Sequence, residues 1–219
     1  MKVTFGSLVI AAGICGLLSF VLLATSLGTE YWYIIEMNPL NSASDFEDMS
    51  SHSGLWSINE GGQMYAYTID SFKDDYSRYS DTELHLLNMH RAVVVLLPLS
   101  LVLLLFGGIC GLVSSLTRSH VLLTSTASYF FICSLPTLSG VSLYILYSYE
   151  ALAETERLVE PEDLASIRTS FGWSLGLAWL SYGLELVTGA LLLTAAQMVK
   201  QQRSSLSRAE WIQGNHERH

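Results

Sequence analysis

Four long apolar runs constrain this chain more than any other feature. Phe5 to Leu27, Ala92 to Leu116, Val121 to Tyr147 and Phe171 to Met198 each exceed the roughly 20 mostly apolar residues that cross a hydrocarbon core. Glu185 is the one charge inside them. Charged residues make up only 14% of the 219 residues, against about 25% in soluble domains. The deficit argues against an ordinary cytosolic enzyme. Lys2 and Ala24-Thr25-Ser26 flank the first run as they would a cleavable leader, but the run is longer than the roughly 7 to 15 apolar residues of a signal core, and it reads as a true span.

Orientation follows from lysine and arginine. Lys2, Arg118, Lys200, Arg203, Arg208 and Arg218 lie on one side, in short segments. The longer segments, Gly28 to Arg91 and Ser148 to Ser170, hold only Lys73, Arg78, Arg91, Arg157 and Arg168. Basic density predicts both termini in the cytoplasm, outer loops over 28–91 and 148–170, and a cytoplasmic tail over 199–219. The chain has 11 basic and 20 acidic residues, a net of -9, and most of the acid falls outside. Nucleic acid is not an expected partner.

Without much hydrophobic drive between helices in lipid, packing relies on small residues. Ala12 with Gly16, Gly107 with Gly111, and Gly172 with Gly176 each sit four apart on one helix face. Such pairs serve packing within the chain or a dimer seam. Pro98 and Pro136 fall inside the second and third spans, where a lost backbone donor bends a helix. The third helix is expected to continue through Glu150 and Arg157 toward the breaker Pro161. Ser181, Thr188 and Gly189 share the face of Glu185, so that face should point inward, as a structural hydrogen bond or as an ion or proton site.

Tyr31 to Ile35, Leu55 to Ile58 and Met64 to Ile69 are aromatic and β-branched runs that predict a small antiparallel sheet. Asn38 to Ser53 reads as a polar excursion between strands, and Asp81 to Leu87 as a short helix entering the second span. The fold class is membrane α+β: a four-helix transmembrane bundle with a small extracellular antiparallel β-sheet, as a single domain over 1–219.

Trp32, Gly54-Leu55-Trp56 in mid-loop and Arg91 at the mouth of the second span, set within four spans, resemble the claudin superfamily, which includes claudins, peripheral myelin protein, epithelial membrane proteins and calcium-channel gamma subunits. Glu30 to Ile34, Ser51 to Trp56, His90 to Val93 and Ser170 to Ser174 are most similar to the branch holding transmembrane proteins 114 and 235. The resemblance implies a non-enzymatic plasma-membrane protein acting through protein contacts, as an auxiliary or adhesion-type subunit. Its alternatives are a paracellular barrier or cation-preferring pore, and transport through Glu185. Expected partners are membrane lipid and a membrane protein or second copy, with no small-molecule substrate and no cofactor.

Two departures from that pattern stand out. The paired loop cysteines of the family are missing, and Cys15, Cys110 and Cys133 all lie in spans, so no extracellular disulfide is expected and the sheet must hold by packing of Trp32, Trp56 and the tyrosines. The terminal Asn215 to His219 lacks the hydrophobic last residue by which claudins engage junctional scaffolds. Gly172-Trp173-Ser174-Leu175-Gly176 matches a nucleophile elbow, but it opens an apolar helix rather than following a strand and sharp turn. His85 and His90 are five apart, wrong for a helical ligand pair. Asp70, Asp74, Asp75, Asp81 and Glu83 could gather calcium, which needs about 6 to 8 converging oxygens, or form a solvated acidic surface. No metal site is expected.

Overall fold

The computed structural model describes residues 4–37, 50–59, 66–68, 81–158 and 167–216. Four helices dominate: α1 (Phe5–Gly28), α2 (Asp81–Thr117), α3 (His120–Leu158) and α4 (Trp173–His216). All four contain stretches long and apolar enough to cross a membrane. Five strands, β1 (Tyr33–Met37), β2 (Ser50–Ser53), β3 (Ser57–Asn59), β4 (Ala66–Thr68) and β5 (Ile167–Phe171), form one antiparallel sheet in the order β4-β3-β2-β1-β5. The expected class of four helices and an antiparallel sheet is therefore what the chain adopts.

The details differ in instructive ways. β2 occupies the end of the segment read as a polar excursion, since Ser50–Ser53 gains its ladder from Ile34↔His52 and Ile35↔Ser51 rather than from its own residues. β5 arises within the second connecting segment, where Tyr33↔Phe171 through Met37↔Ile167 seat it on the far side of β1. Phe171, read as the start of the fourth span, ends this strand, and the helix begins two residues later. Residues 38–49, Met64, Tyr65 and Ile69 to Ser80, including Asp70, Asp74 and Asp75, lie outside the described residues.

The helices outrun the apolar segments. α2 starts at Asp81, absorbing the expected short helix without a break, and carries Pro98 within it. α3 carries Pro136 and continues to Leu158, as the run of helix formers after Tyr147 predicts. α4 continues to His216, so the segment read as a tail is helical well beyond Met198. The turn from α2 to α3 is two residues, Arg118 and Ser119, with Arg118 at φ 48° and the Leu123 N–H donating to the Ser119 carbonyl at 3.0 Å.

The chain divides into two compact units. The first, Val21–Leu101 with Pro136–Ser181, holds the sheet; the second, Met1–Phe20, Val102–Leu135 and Tyr182–His219, is helical. The helical unit closes on small and aromatic groups. Gly107 lets the Tyr129 ring approach, since a Cβ there would lie 3.0 Å from it, whereas one on Gly16 would make an ordinary contact with Thr188 Cγ2 at 3.5 Å. The Tyr129 hydroxyl donates to the Leu103 carbonyl at 3.0 Å. Ala12, Leu123, Ala127, Phe130 and Ala195 are buried here.

Candidate functional site

In the sheet-bearing unit, the residues singled out in sequence converge on one end of α1. A helix C-terminus leaves its last carbonyls without intrahelical partners. Here side chains supply them. Thr29 donates its hydroxyl to the Thr25 carbonyl at 2.9 Å, Trp32 its indole N–H to Ser26 at 2.8 Å, and Trp56 its indole N–H to Leu27 at 2.9 Å. Ser26 in turn donates its hydroxyl to the Ser174 carbonyl at 2.7 Å, and the Thr29 and Ser174 hydroxyls lie 2.8 Å apart. The paired tryptophans are helix caps.

Trp32 also joins the strands. Its backbone N–H donates to the Ser53 carbonyl at 3.0 Å, and its own carbonyl accepts from Gly172 at 3.0 Å. The ring is 0% exposed and meets Tyr144 edge-on, centroids 4.8 Å apart. Trp56 behaves differently from expectation: at 46% exposure it adds little to the core, and the packing expected of it passes to Leu55, which is fully buried. The reason is the turn between them, closed by the Gly54 N–H on the Ser57 carbonyl at 2.8 Å, which swings Trp56 outward far enough to reach Leu27.

Two glycines make this approach possible. A Cβ on Gly54 would fall 2.9 Å from Glu30 Cα, and on Gly172 only 1.9 Å from the Tyr31 carbonyl oxygen. Glu30 fills the space, accepting a short hydrogen bond from the Ser57 hydroxyl. The four-residue spacing of Gly172 and Gly176 predicts a shared helix-packing face, and the geometry corrects this. Gly172 precedes α4 and packs on strand backbone, while a Cβ on Gly176 would meet nothing within 4 Å. A Cβ on Gly111 would only just reach Thr126 Cγ2, at 4.0 Å. Ser174, in the elbow-like motif, lies buried in the first turn of α4.

Sequence reasoning missed His90 as a participant. It is buried, hydrogen-bonds the backbone of Leu55 and lies 5.3 Å from the Tyr147 ring. Its neighbour Arg91 is partly buried on the same helix. His85 is exposed and 3.6 Å from Glu150. An exposed aromatic band flanks the clamp: Tyr31 stacks on His52 at 4.6 Å and on Trp173 at 5.8 Å, and Phe171 contacts Tyr33 and Tyr149.

In the helical unit, Glu185 and Thr188 are both buried; Ser181, the last residue of the sheet-bearing unit, is also buried. The Thr188 hydroxyl donates to the Leu184 carbonyl at 2.8 Å, and a Cβ on Gly189 would lie 3.1 Å from the Phe131 ring. Cys15, Cys110 and Cys133 are all free thiols. Among the described residues, no three His, Cys, Asp or Glu side chains converge.

Four helices of membrane-crossing length and apolarity, with an antiparallel sheet formed by the connecting segments, define a multi-pass membrane protein. A family profile described as PMP-22/EMP/MP20/Claudin tight junction matches residues 17–194, and the chain belongs to that family. It is 28% identical over 206 residues to the voltage-dependent calcium channel gamma-3 subunit of Homo sapiens, covering 89% of this chain and 62% of that relative. It is 29% identical over 185 residues to the gamma-3 subunit of Rattus norvegicus, covering 79% of this chain and 56% of the relative. The Homo sapiens gamma-4 subunit is 27% identical over 187 residues, again covering 79% and 56%. The chain thus spans about three fifths of the length of these curated relatives.

Proposed function

We propose that this protein is a non-enzymatic auxiliary subunit of the plasma membrane, with both termini cytoplasmic and the sheet outside, that binds a channel or other membrane protein through the sheet-bearing unit. The observation that carries the reading is the clamp. Trp32, Trp56 and Thr29 tie the sheet to the end of α1, so the exposed Tyr31, Tyr149, Phe171 and Trp173 are presented on a rigid support, which lowers the ordering cost of association. Aromatic side chains of this kind anchor protein interfaces. The likeness to proteins named as calcium-channel subunits supports a channel as the partner, and the basic side chains at one end of the spans support the orientation.

The family description also names the tight junction, which favours a second reading, a barrier or pore at cell contacts. Expression of the full chain in cells with a pore-forming channel separates the two. Co-purification with the channel, lost on combined Tyr149→Ser and Trp173→Ser substitution, supports the first reading. Continuous strands of the protein at contacts between transfected cells, with altered paracellular conductance and no channel retained, support the second and overturn the first.

A further inference from the structure

We propose that a groove between α1 and α2 in the helical unit holds one acyl chain of an anionic phospholipid, with its phosphate on Arg118. The groove has a volume of about 570 Å³. Ile10, Ile14 and Leu17 form one wall and Leu105, Ile109 and Leu112 the other, all six exposed. Gly13 and Gly108 leave its width open, since a Cβ at either would meet nothing within 4 Å. At membrane depth, an unfilled apolar groove forfeits dispersion contacts along its whole lining. Something apolar fills it.

The dimensions choose among occupants. The groove extends from Val9 to Phe20 on α1 and from Leu104 to Ser115 on α2, which at about 1.5 Å per residue is ~16 Å, half of a hydrocarbon core ~30 Å thick. It is one leaflet deep. One acyl chain of a phospholipid runs through that depth of a single leaflet, so the length of the groove matches one hydrocarbon chain.

The headgroup follows from charge at the groove's end. Arg118 follows Ser115 by three positions on α2's side, and Phe5 precedes Val9 by four on α1; the Arg118 guanidinium sits 5.3 Å from the centre of the Phe5 ring. Arg118 is exposed, and among the described residues no carboxylate pairs with it. It is also the one non-glycine residue at positive φ, 48°, among those described, so the two-residue turn holds it in place against its own backbone preference. A guanidinium held at the lipid boundary presents its donor fork to a phosphate.

The test uses the full chain in phosphatidylcholine vesicles containing phosphatidylserine with a diazirine on its acyl chain, with crosslinks mapped by peptide mass spectrometry. Crosslinks are expected to concentrate on 10–17 and 105–112. Gly108→Leu, which has open space for its side chain, should abolish that concentration, and Gly13→Leu on the facing wall should do the same if the first variant fails to fold. Arg118→Gly, which suits the positive φ, should reduce the preference for phosphatidylserine over phosphatidylcholine about fivefold, the effect of one basic side chain near an anionic surface. Crosslinks spread evenly over lipid-facing positions such as Leu135 and Leu180 would overturn the proposal. So would a Gly108→Leu protein that disperses from dimer to monomer with its crosslinks unchanged, which would assign the groove to a second copy.

Discussion

The indole N–H of Trp56 donates to the carbonyl of Leu27 across 2.9 Å, joining a strand turn to the last turn of a helix 29 residues earlier in the chain. With Trp32 on Ser26, it makes these two of the chain's five tryptophans a shared C-terminal cap for α1. The tie between the tryptophans and the first span is a hydrogen-bonded one as much as an apolar one.

Replacing either indole by a ring without a donor isolates that role. Trp56→Phe should lower stability by about 0.5–1.5 kcal/mol, the net worth of one hydrogen bond. Trp32→Phe keeps the Tyr144 contact but strands a buried carbonyl, and should cost about 1–3 kcal/mol. Thermal unfolding in detergent measures both. Equal melting temperatures for Trp32→Phe and the parent would refute the cap.

Gly172 and Gly176 share a spacing but not a role. Gly172→Ala places a methyl group 1.9 Å from the Tyr31 oxygen, so the β5–α4 junction must move, and the loss should exceed the ~1–3 kcal/mol typical of overpacking. Gly176→Ala meets open space and should gain up to ~1 kcal/mol from helix propensity. Unfolding of the two variants side by side, with monodispersity checked by size exclusion, decides the point.

Glu185 is buried on α4, and substitution separates a structural role from a transport one. Glu185→Ala should cost about 1–3 kcal/mol by leaving partner groups unsatisfied, while Glu185→Gln, which keeps hydrogen-bonding capacity, should cost less. Ion flux into proteoliposomes is expected to be at background for the parent and both variants. Flux in the parent that Glu185→Gln removes would establish transport.

Because the three thiols are free, the sheet owes nothing to redox state. Melting temperature and protease resistance of the sheet-bearing unit are expected to be unchanged by reductant, where loss of a native disulfide would cost about 2–5 kcal/mol. A reductant-induced drop would reveal a covalent link between chains.

Much of this architecture was legible locally. Hydropathy alone located four spans, because backbone groups in lipid must be satisfied within each segment. The helix-forming run after Tyr147 located the extension of α3, and Tyr33-Ile34-Ile35 announced β1. Ser50–Ser53 carries no strand signal of its own, and Ile167–Phe171 is short and bordered by an apolar helix. Both become strands only because β1 offers a backbone ladder on each side. The site divides in the same way. Trp32, Gly54 and Trp56 stand out as types in a pattern, whereas His90, though part of the family-like run His90 to Val93, gives no sign of its partner, since its role depends on the Leu55 backbone arriving from another segment.

By itself, then, the order of residues determined how many times the chain can cross a bilayer and where polar and apolar surface must separate, since each span is a local solution to hydration. Only the tertiary structure decided that Trp32 and Trp56 cap one helix, that Gly172 packs on a strand rather than a helix, and that α1 and α2 part around an open groove. Those outcomes rest on hydrogen bonds and close approaches between residues far apart in the chain, which no local pattern encodes.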